Sequence, residues 1–338
     1  MAHSNCPDPI AVLGAGSWGT ALAIQLARNG IEVLLWGRNA DEMARMAADR
    51  CNTRYLPDIG LPEKLSPVAD LAQTLATAAD VLVVVPSHAF RQTLTQIAPL
   101  LKPGSRVAWA TKGLEPGSRK LLHQVARETL GEGYPAAVIS GPTFAKEVAR
   151  GLPTAVTVAS TDPHTAEHFA ACLHGGTFRA YTASDVVGVE LGGACKNVLA
   201  IAAGIADGLG YGANTRAALI TRGLAELMRL GAPLGGHPET FMGLAGLGDL
   251  VLTCTDDQSR NRRVGLALGQ GKSLEEAIAS IGQAVEGVKS APEVFALARE
   301  IGVEMPITEQ VYRVLYEGET AREAVAALLH REQKAETD

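Results

Sequence analysis

IAVLGAGSWGTALAIQLARNGIEVLLWG, residues 10–37, is the stretch that decides the fold. It opens with a short apolar run that is typical of a buried parallel strand, and Gly14, Gly16 and Gly19 follow in G-x-G-x-x-G spacing. In this setting Gly14 makes the turn out of the strand, Gly16 lets a pyrophosphate approach the backbone, and Gly19 lets the next helix pack closely. The motif alone is a weak signal, so the elements around it matter.

The flanking residues supply the context that the motif requires. Thr20 to Asn29 predicts a helix whose N-terminal N–H groups face the phosphates, Gly30 ends it, and Ile31 to Trp36 predicts a second strand. Ser17 and Trp18, at the helix start, are expected beside the pyrophosphate. We therefore interpret the stretch as a strand–helix–strand unit that binds a dinucleotide.

The residues after the second strand bear on which dinucleotide binds. An NAD-specific site places Asp or Glu about 20 residues after the glycines, whereas this chain has Trp36, Gly37, Arg38 and Asn39. The Arg38 guanidinium can pair with a 2′-phosphate, so the sequence allows NADP(H) or NAD(H) and favours NADPH. A solvated Arg38 with no ligand is the alternative.

Length and composition bound the class of protein. A chain of 338 residues exceeds what one core usually holds, so we expect two domains. The net charge is −6 and long Lys/Arg runs are absent from the sequence, which argues against nucleic-acid binding. We find no apolar run of 18 residues and no signal-like N-terminus in MAHSNCPDP, so we expect no membrane span and a cytoplasmic location.

The five cysteines agree with that location. Cys6, Cys51, Cys172, Cys195 and Cys254 are odd in number and widely scattered, which favours reduced thiols over a disulfide framework.

Strands and helices alternate through the first half of the chain and then stop. Apolar runs such as 81–85, 106–110 and 154–159 predict a sheet of roughly eight strands, whereas only helical patterns follow residue 185. The fold class we predict is α/β, with an N-terminal Rossmann-like doubly wound sheet in residues 1–188 and an all-helical domain in 189–338. Residues 52–65 predict a loop, and His88 a loop residue after a strand.

Two strand ends carry further candidate residues. Lys112 follows a predicted strand beside the phosphate-binding turn and is expected to take part in binding, with a solvated lysine as the alternative. Gly141 and Pro142 follow another strand and predict a helix start with unpaired N–H groups.

Lys196 is the candidate for proton transfer. It lies in the apolar run GGACKNVLA of a long predicted helix, where a lysine is costly to bury. Burial and a nearby Lys112 would both lower the pKa of the amine and favour proton acceptance near neutral pH. Asp249, with Thr253 on the same helical face, could hold the lysine, although an ionised carboxylate would oppose that lowering.

Residues 259–263, SRNRR, predict an anion site. Ser259 is a plausible N-cap, and a helix N-terminus with one or two guanidiniums would hold a substrate phosphate. The alternative is that these arginines only pair with Asp256 and Asp257.

These motifs together resemble the bacterial type of NAD(P)-dependent glycerol-3-phosphate dehydrogenase. The resemblance runs in order from about residue 10 to 330 and rests on GAGSWGTALA, TKGLE, SGPTFAKE, ELGGACKN, GLGDL and SRNRRVG. It implies an oxidoreductase that reversibly reduces dihydroxyacetone phosphate to sn-glycerol 3-phosphate for glycerophospholipid biosynthesis.

The resemblance also implies roles for individual residues. Lys196 becomes the proton acceptor and donor. The substrate contacts become Lys112, Gly141, Thr143, Lys196, Asp249, Ser259, Arg260 and Asn261. The cofactor contacts become Ser17, Trp18, Arg38, Lys112, Ala145, Arg260, Ala284 and Glu286. The family often has Val where this chain has Ala284, a difference that does not matter if the contact is made through the backbone.

Other readings remain open or are set aside. A 3-hydroxyacid dehydrogenase with a carboxylate substrate, and an NADPH-binding sensor without turnover, are the rival functions. His164, His168 and Cys172 share a helical face that could hold a metal, but we interpret this helix as facing solvent and expect no metal site. The partner is a small-molecule substrate, and the sequence is compatible with a homodimer without determining the oligomeric state.

Overall fold

The structure is a computed structural model that describes residues 8–333 and 335. The chain divides into two compact units, with the boundary between Glu190 and Leu191. We refer to them as the first and second units.

The first unit is built around one sheet. Its strands, within the described residues, are β1 (Ile10–Leu13), β2 (Val33–Trp36), β3 (Leu65–Val68), β4 (Asp80–Val83), β5 (Val107–Trp109), β6 (Ala136–Ser140), β7 (Thr154–Ala159) and β8 (Phe178–Ala183). The α-helices in the same described part of the unit are α1 (Ser17–Arg28), α2 (Ala40–Asp49), α3 (Leu71–Thr77), α4 (Ser87–Ile97), α5 (Leu122–Leu130), α6 (Ala145–Arg150) and α7 (Pro163–Leu173).

The strand order is β3-β2-β1-β4-β5-β6-β7-β8. The first six strands run parallel in the order of a doubly wound dinucleotide fold, and β7 pairs antiparallel with β6. All four residues of β1 and of β4 are buried. The strand β1 is wholly apolar, as a central parallel strand requires, whereas β4 begins with the buried Asp80 and continues as an apolar run. The predicted Rossmann-like sheet of about eight strands is confirmed.

The sequence patterns missed one strand and one helix start. The predicted loop 52–65 ends in β3, whose sequence LSPV contains Pro67 and shows no apolar run. Proline is tolerated there because β3 is the edge strand and pairs only with β2. The prediction of His88 as a loop residue is wrong, since His88 lies in the first turn of α4.

The second unit contains only helices among its described residues. They are α8 (Val186–Gly208), which begins before the boundary, α9 (Ala213–Gly231), α10 (Pro238–Phe241), α11 (Asp249–Thr255), α12 (Arg260–Gly269), α13 (Leu274–Ile281), α14 (Glu286–Glu300), α15 (Pro306–Tyr316) and α16 (Ala321–Leu329). A π-helical turn, Leu244–Gly248, leads into α11. The prediction of an all-helical C-terminal domain is confirmed.

The apolar helix α8 is the core of this unit. It is long and apolar enough to cross a membrane by length and composition, with a mean hydropathy of 1.5, which corrects the expectation that the chain lacks such a run. Because 94% of that window is buried inside the protein, its composition is explained by packing.

Glycines let α12 approach α8 closely. A Cβ at Gly204 or Gly208 of α8 would overlap backbone atoms of α12, and a Cβ at Gly265 or Gly269 would overlap backbone atoms of α8. The two backbones are therefore in direct contact.

Glu226 of α9 joins two helices inside the second unit. Its buried carboxylate accepts hydrogen bonds from the backbone N–H groups of Ile307 (2.6 Å) and Thr308 (3.2 Å) and from the Thr308 hydroxyl (3.0 Å), at the start of α15. Burial raises the pKa of the carboxyl to about 7, although these bonds and the charge of Arg229 oppose the rise.

Replacing Glu226 by Gln is expected to change the pH dependence of stability. The folded protein keeps this proton up to about pH 7, whereas the unfolded chain releases it near 4.5. The wild type therefore loses stability as the pH rises through this window, by up to about 3 kcal/mol. The Gln variant lacks the titration, so its free energy of unfolding relative to the wild type should rise between pH 5 and pH 8.

Urea unfolding followed by circular dichroism at pH 5, 6, 7 and 8 measures this difference. Glu317→Gln, at an exposed position, is the matched control. A difference between Glu226→Gln and the wild type that stays constant with pH would contradict the assignment.

Candidate active site

The glycine-rich turn after β1 shows three different packing situations. A Cβ at Gly14, whose φ is +123°, would overlap the carbonyl of Val84, and a Cβ at Gly19 would overlap the carbonyl of Gly14. Nothing lies within 4 Å of a Cβ built at Gly16. Gly14 and Gly19 are thus required by the fold, whereas the space at Gly16 is open to a ligand.

The start of α1 presents backbone donors at this turn. Gly16 is its N-cap and supplies no side-chain acceptor, Ser17 is its first residue, and Trp18 packs against the hydrophobic core. The first N–H groups of a helix have no acceptor within the helix and attract anions. The turn therefore fits the pyrophosphate of a dinucleotide.

Asn52 supports the turn and was missed by sequence reasoning, which placed it in a loop. Its buried Nδ2 donates to the carbonyl of Ala15 (3.0 Å) and to the hydroxyl of Thr20 (2.8 Å). A single Asn in a proline-rich stretch gives no signal for such a contact.

Arg38 follows β2 and its side chain is exposed. Its guanidinium has no hydrogen bond or ion pair to any residue in the described part of the chain. The position is compatible with a 2′-phosphate and with a solvated arginine, so the choice stays a prediction.

Three of the predicted residues meet beyond β5 and β6. The Lys112 ammonium donates to the carbonyl of Gly141 (3.4 Å), and the Thr143 hydroxyl donates to the same carbonyl (3.2 Å). The helix start predicted at Gly141 and Pro142 is wrong. The helix α6 begins at Ala145, and its N-cap Phe144 has an extended backbone.

Lys196 lies in the interior of the second unit. Its side chain is 9% exposed, and its ammonium donates to the carboxylate of Asp249 (2.5 Å) and the hydroxyl of Thr253 (3.0 Å). The Thr253 hydroxyl donates in turn to the backbone carbonyl of Asp249 (2.6 Å), one helical turn earlier. Asp249 is fully buried, so the three side chains form a compact polar cluster in an apolar setting.

The neighbouring thiols of Cys195 and Cys254 do not act as proton donors or acceptors near neutral pH. Burial raises the pKa of the Cys195 thiol and of the Cys254 thiol to about 12. Both remain protonated and unreactive near neutral pH, in agreement with a packing role. Cys51 and Cys172 likewise form no disulfide within the described residues, and Cys6 lies outside them.

The start of α12 forms the expected capped helix end. The buried Ser259 hydroxyl accepts from the backbone N–H of Arg262 (3.2 Å), and Arg260 reaches the Gln283 side chain (3.3 Å). A helix N-terminus with one guanidinium beside it can hold an anion.

Arg262 has a different role from the one predicted for this arginine run. Its guanidinium pairs with Asp207 (2.5 Å) and with Asp257, and its Nε donates to the carbonyl of Cys254 (3.1 Å). The alternative of arginines pairing with the preceding acidic residues therefore holds for Arg262. Arg260 is left as the candidate for a ligand.

The last two predicted cofactor residues lie at the start of α14. Ala284 is exposed just before the helix, and Glu286 is its first residue. The Glu286 carboxylate accepts from the side-chain amide of Asn197 (3.4 Å).

The histidines of α7 do not all face solvent as predicted. His164 is exposed, whereas His168 Nε2 lies 2.6 Å from the buried carboxylate of Asp80, also contacted by Arg106. Burial alone would raise the pKa of Asp80. The hydrogen bonds and charges of His168 and Arg106 outweigh this effect, so the pKa of Asp80 is lowered. Within residues 8–333 and 335, no group of three His, Cys, Asp or Glu is placed to hold a metal ion.

Comparison with known proteins covers almost the whole chain. Residues 9–166 match the family model for the N-terminus of NAD-dependent glycerol-3-phosphate dehydrogenase, and residues 185–326 match the model for its C-terminus.

Individual proteins are similar over their full length. The chain is 61% identical to glycerol-3-phosphate dehydrogenase, NAD(P)+, of Pseudoalteromonas translucida, over 98% of this chain and 100% of that protein. It is 63% identical to the protein of the same name from Thioalkalivibrio sulfidiphilus, over 97% of this chain and 98% of that protein. A crystal structure of glycerol-3-phosphate dehydrogenase from Coxiella burnetii superposes with a TM-score of 0.93 at 53% identity, over 96% of this chain and 99% of that one.

Alanine substitutions at Gly16 and Gly19 should separate binding from folding. Because a Cβ at Gly16 meets open space, Gly16→Ala is expected to unfold at the wild-type temperature but to bind NADPH at least about tenfold more weakly. Gly19→Ala should lose stability as well as affinity, since its Cβ overlaps a carbonyl. Thermal unfolding and nucleotide fluorescence titration measure the two effects.

Gly60→Ala, another position with open space around the added methyl, is the control. Wild-type NADPH affinity in Gly16→Ala would remove the turn from the cofactor site.

Proposed function

The chain belongs to the NAD-dependent glycerol-3-phosphate dehydrogenase family and is an NAD(P)-dependent oxidoreductase of that kind; from this premise, we propose that it works as a dihydroxyacetone phosphate reductase. In this proposal Lys196 supplies the proton that turns the carbonyl oxygen into the hydroxyl of sn-glycerol 3-phosphate. The reverse reaction returns that proton to the Lys196 amine. The observation that carries the proposal is the buried contact of Lys196 with Asp249 and Thr253.

The chemistry requires a proton and a hydride to reach adjacent atoms of one carbonyl group. A bound reduced nicotinamide supplies the hydride to the carbonyl carbon. The chain must supply the proton to the oxygen, and an ammonium fixed in a water-poor interior suits this task. With hydride, proton and carbonyl accounted for, the reaction balances without a metal.

Asp249 and Thr253 position the ammonium. Two of the three N–H donors of Lys196 are directed at their oxygens, so the lysine side chain has little rotational freedom. This fixed direction reduces the entropy cost of aligning the proton with the substrate oxygen.

The start of α12 supports a phosphate-bearing substrate. Ser259 caps the helix through its side chain, and Arg260 adds a guanidinium at the first helical position. A phosphate there gains both the helix dipole and a charge-assisted hydrogen bond. A substrate without phosphate would forfeit these contacts.

We also propose that the physiological direction is reduction, for glycerophospholipid synthesis, and that the enzyme works in the cytoplasm. The basic group after β2, which favours the biosynthetic cofactor NADPH, supports the direction. The absence of a disulfide among the described cysteines, Cys51, Cys172, Cys195 and Cys254, supports a reducing compartment.

Removal of the Lys196 ammonium is expected to abolish turnover while leaving cofactor binding intact. Lys196→Met alone leaves a buried carboxylate without its partner and destabilises the second unit, so it is combined with Asp249→Asn. The double variant should lose roughly 10²–10⁴-fold in kcat, while the Kd for NADPH stays within about twofold of the wild type. NADPH oxidation with dihydroxyacetone phosphate and nucleotide fluorescence measure these values.

Lys289→Met, at an exposed lysine of the same unit, is the control. Wild-type kcat in the Lys196→Met, Asp249→Asn variant would exclude Lys196 as the proton donor.

Arg38→Ala tests the cofactor preference. A guanidinium bonded to the 2′-phosphate stabilises only NADPH, so kcat/KM for NADPH should fall about 10- to 100-fold while kcat/KM for NADH changes little. Initial rates with both cofactors, at saturating dihydroxyacetone phosphate, measure the ratio. Arg45→Ala, at an exposed position on α2, is the control, and an equal fall for both cofactors would exclude this role for Arg38.

A further inference from the structure

A closed ring of hydrogen bonds in the second unit includes Asn197, the residue that follows Lys196 on α8. The backbone N–H of Gly287 donates to Asn261 Oδ1 (2.8 Å), Asn261 Nδ2 donates to Asn197 Oδ1 (2.9 Å), and Asn197 Nδ2 donates to the carboxylate of Glu286 (3.4 Å). Because Glu286 and Gly287 are consecutive, the ring closes on itself. It links α8, α12 and α14 through side chains that are remote in the sequence.

The ring has only one possible direction. A backbone N–H can only donate, so the oxygen of Asn261 must face Gly287. The amide nitrogen of Asn261 then faces Asn197, which must present its oxygen. The amide nitrogen of Asn197 is therefore turned towards the Glu286 carboxylate, which can only accept.

Burial makes this direction costly to reverse. Asn197 is 5% exposed and Asn261 is 8% exposed, so water cannot compensate for a donor that faces a donor. Rotating either amide by half a turn would place an NH₂ group against the N–H of Gly287 or two oxygens against each other.

Gly287 has no room for a side chain. A Cβ there would lie 2.6 Å from the backbone oxygen of Asn197 and 2.7 Å from Asn261 Oδ1. Any larger residue must push the start of α14 away from both asparagines and break the first link of the ring.

We propose that Gly287, Asn261 and Glu286 position the amide of Asn197, one residue after Lys196 on α8, as an obligate hydrogen-bond donor. Its nitrogen carries a second N–H, for which residues 8–333 and 335 provide no acceptor, and this N–H is directed at an oxygen of the substrate. Lys196 and Asn197 then both act as donors, which favours a substrate rich in acceptor oxygens such as a carbonyl or phosphate. This inference rests on the proposed function and assigns Gly287 a positioning role.

A double-mutant cycle between Gly287 and Asn197 tests the proposal. Gly287→Ala and Asn197→Ala are each expected to lower kcat/KM for dihydroxyacetone phosphate about 10- to 100-fold. In the double variant the loss should be close to that of one single variant. The amide that Gly287→Ala has already misdirected no longer contributes to kcat/KM, so its removal by Asn197→Ala has little further effect. Losses that multiply would overturn the proposal, as would wild-type kcat/KM in Gly287→Ala.

The control cycle pairs Asn197→Ala with Gly223→Ala. Gly223 is also buried, and the atoms nearest to a Cβ there belong to the side chain of Leu199, the first at 3.0 Å, so its effect should simply multiply with that of Asn197→Ala. If Gly287→Ala does not fold, Asn261→Asp replaces it. An Asp accepts from Gly287 but cannot donate to Asn197, and its cycle should show the same non-additive loss.

A readout independent of activity separates this proposal from the proposed function. The side-chain NH₂ protons of Asn197, assigned by comparison with Asn197→Asp in ¹⁵N-labelled protein, should exchange slowly with solvent in the wild type and at least about tenfold faster in Gly287→Ala. Absence of NADPH oxidation with dihydroxyacetone phosphate in the wild type would refute the proposed function alone. Equal exchange rates would refute the ring.

Discussion

The buried ion pair between Lys196 and Asp249 is the interaction on which the proposed chemistry of the second unit depends. Both charges are buried, and the desolvation of two ions costs about as much as their attraction returns. Apolar residues of similar volume could fill the same space without a loss of stability. The stability of the core therefore does not explain the pair, whereas the proposed function does, because it requires a proton carrier in a fixed position.

The contact between α8 and α12 makes the rest of the site possible. Since the glycines on both helices remove side chains from the contact, the two backbones approach closely enough for Asn197 to reach Asn261 directly. The buried Arg262 neutralises Asp207 at the same contact. Packing and polar chemistry thus share one interface between two helices, so neither can change independently of the other.

Local patterns in the sequence predicted most elements and missed the contacts that depend on the tertiary fold. The apolar runs of β1 and β4 and the period of α12 have local causes, and their positions were predicted closely. The edge strand β3 has no such pattern, because Pro67 is tolerated only through its place in the sheet.

The same holds for the candidate site: residues with a local sequence signal were predicted, and contacts that depend on the tertiary fold were missed. Lys196 was recognisable as a charge in an apolar helix, but the support that Asn52 gives to the glycine turn was not, because the partners are more than thirty positions apart.

The burial of α8 has a further consequence during synthesis. The helices that pack against α8, namely α9, α11 and α12, all follow it in the chain. A growing polypeptide therefore exposes this apolar helix before any of them has left the ribosome. Until the later helices cover it, this apolar surface makes the nascent chain prone to aggregation.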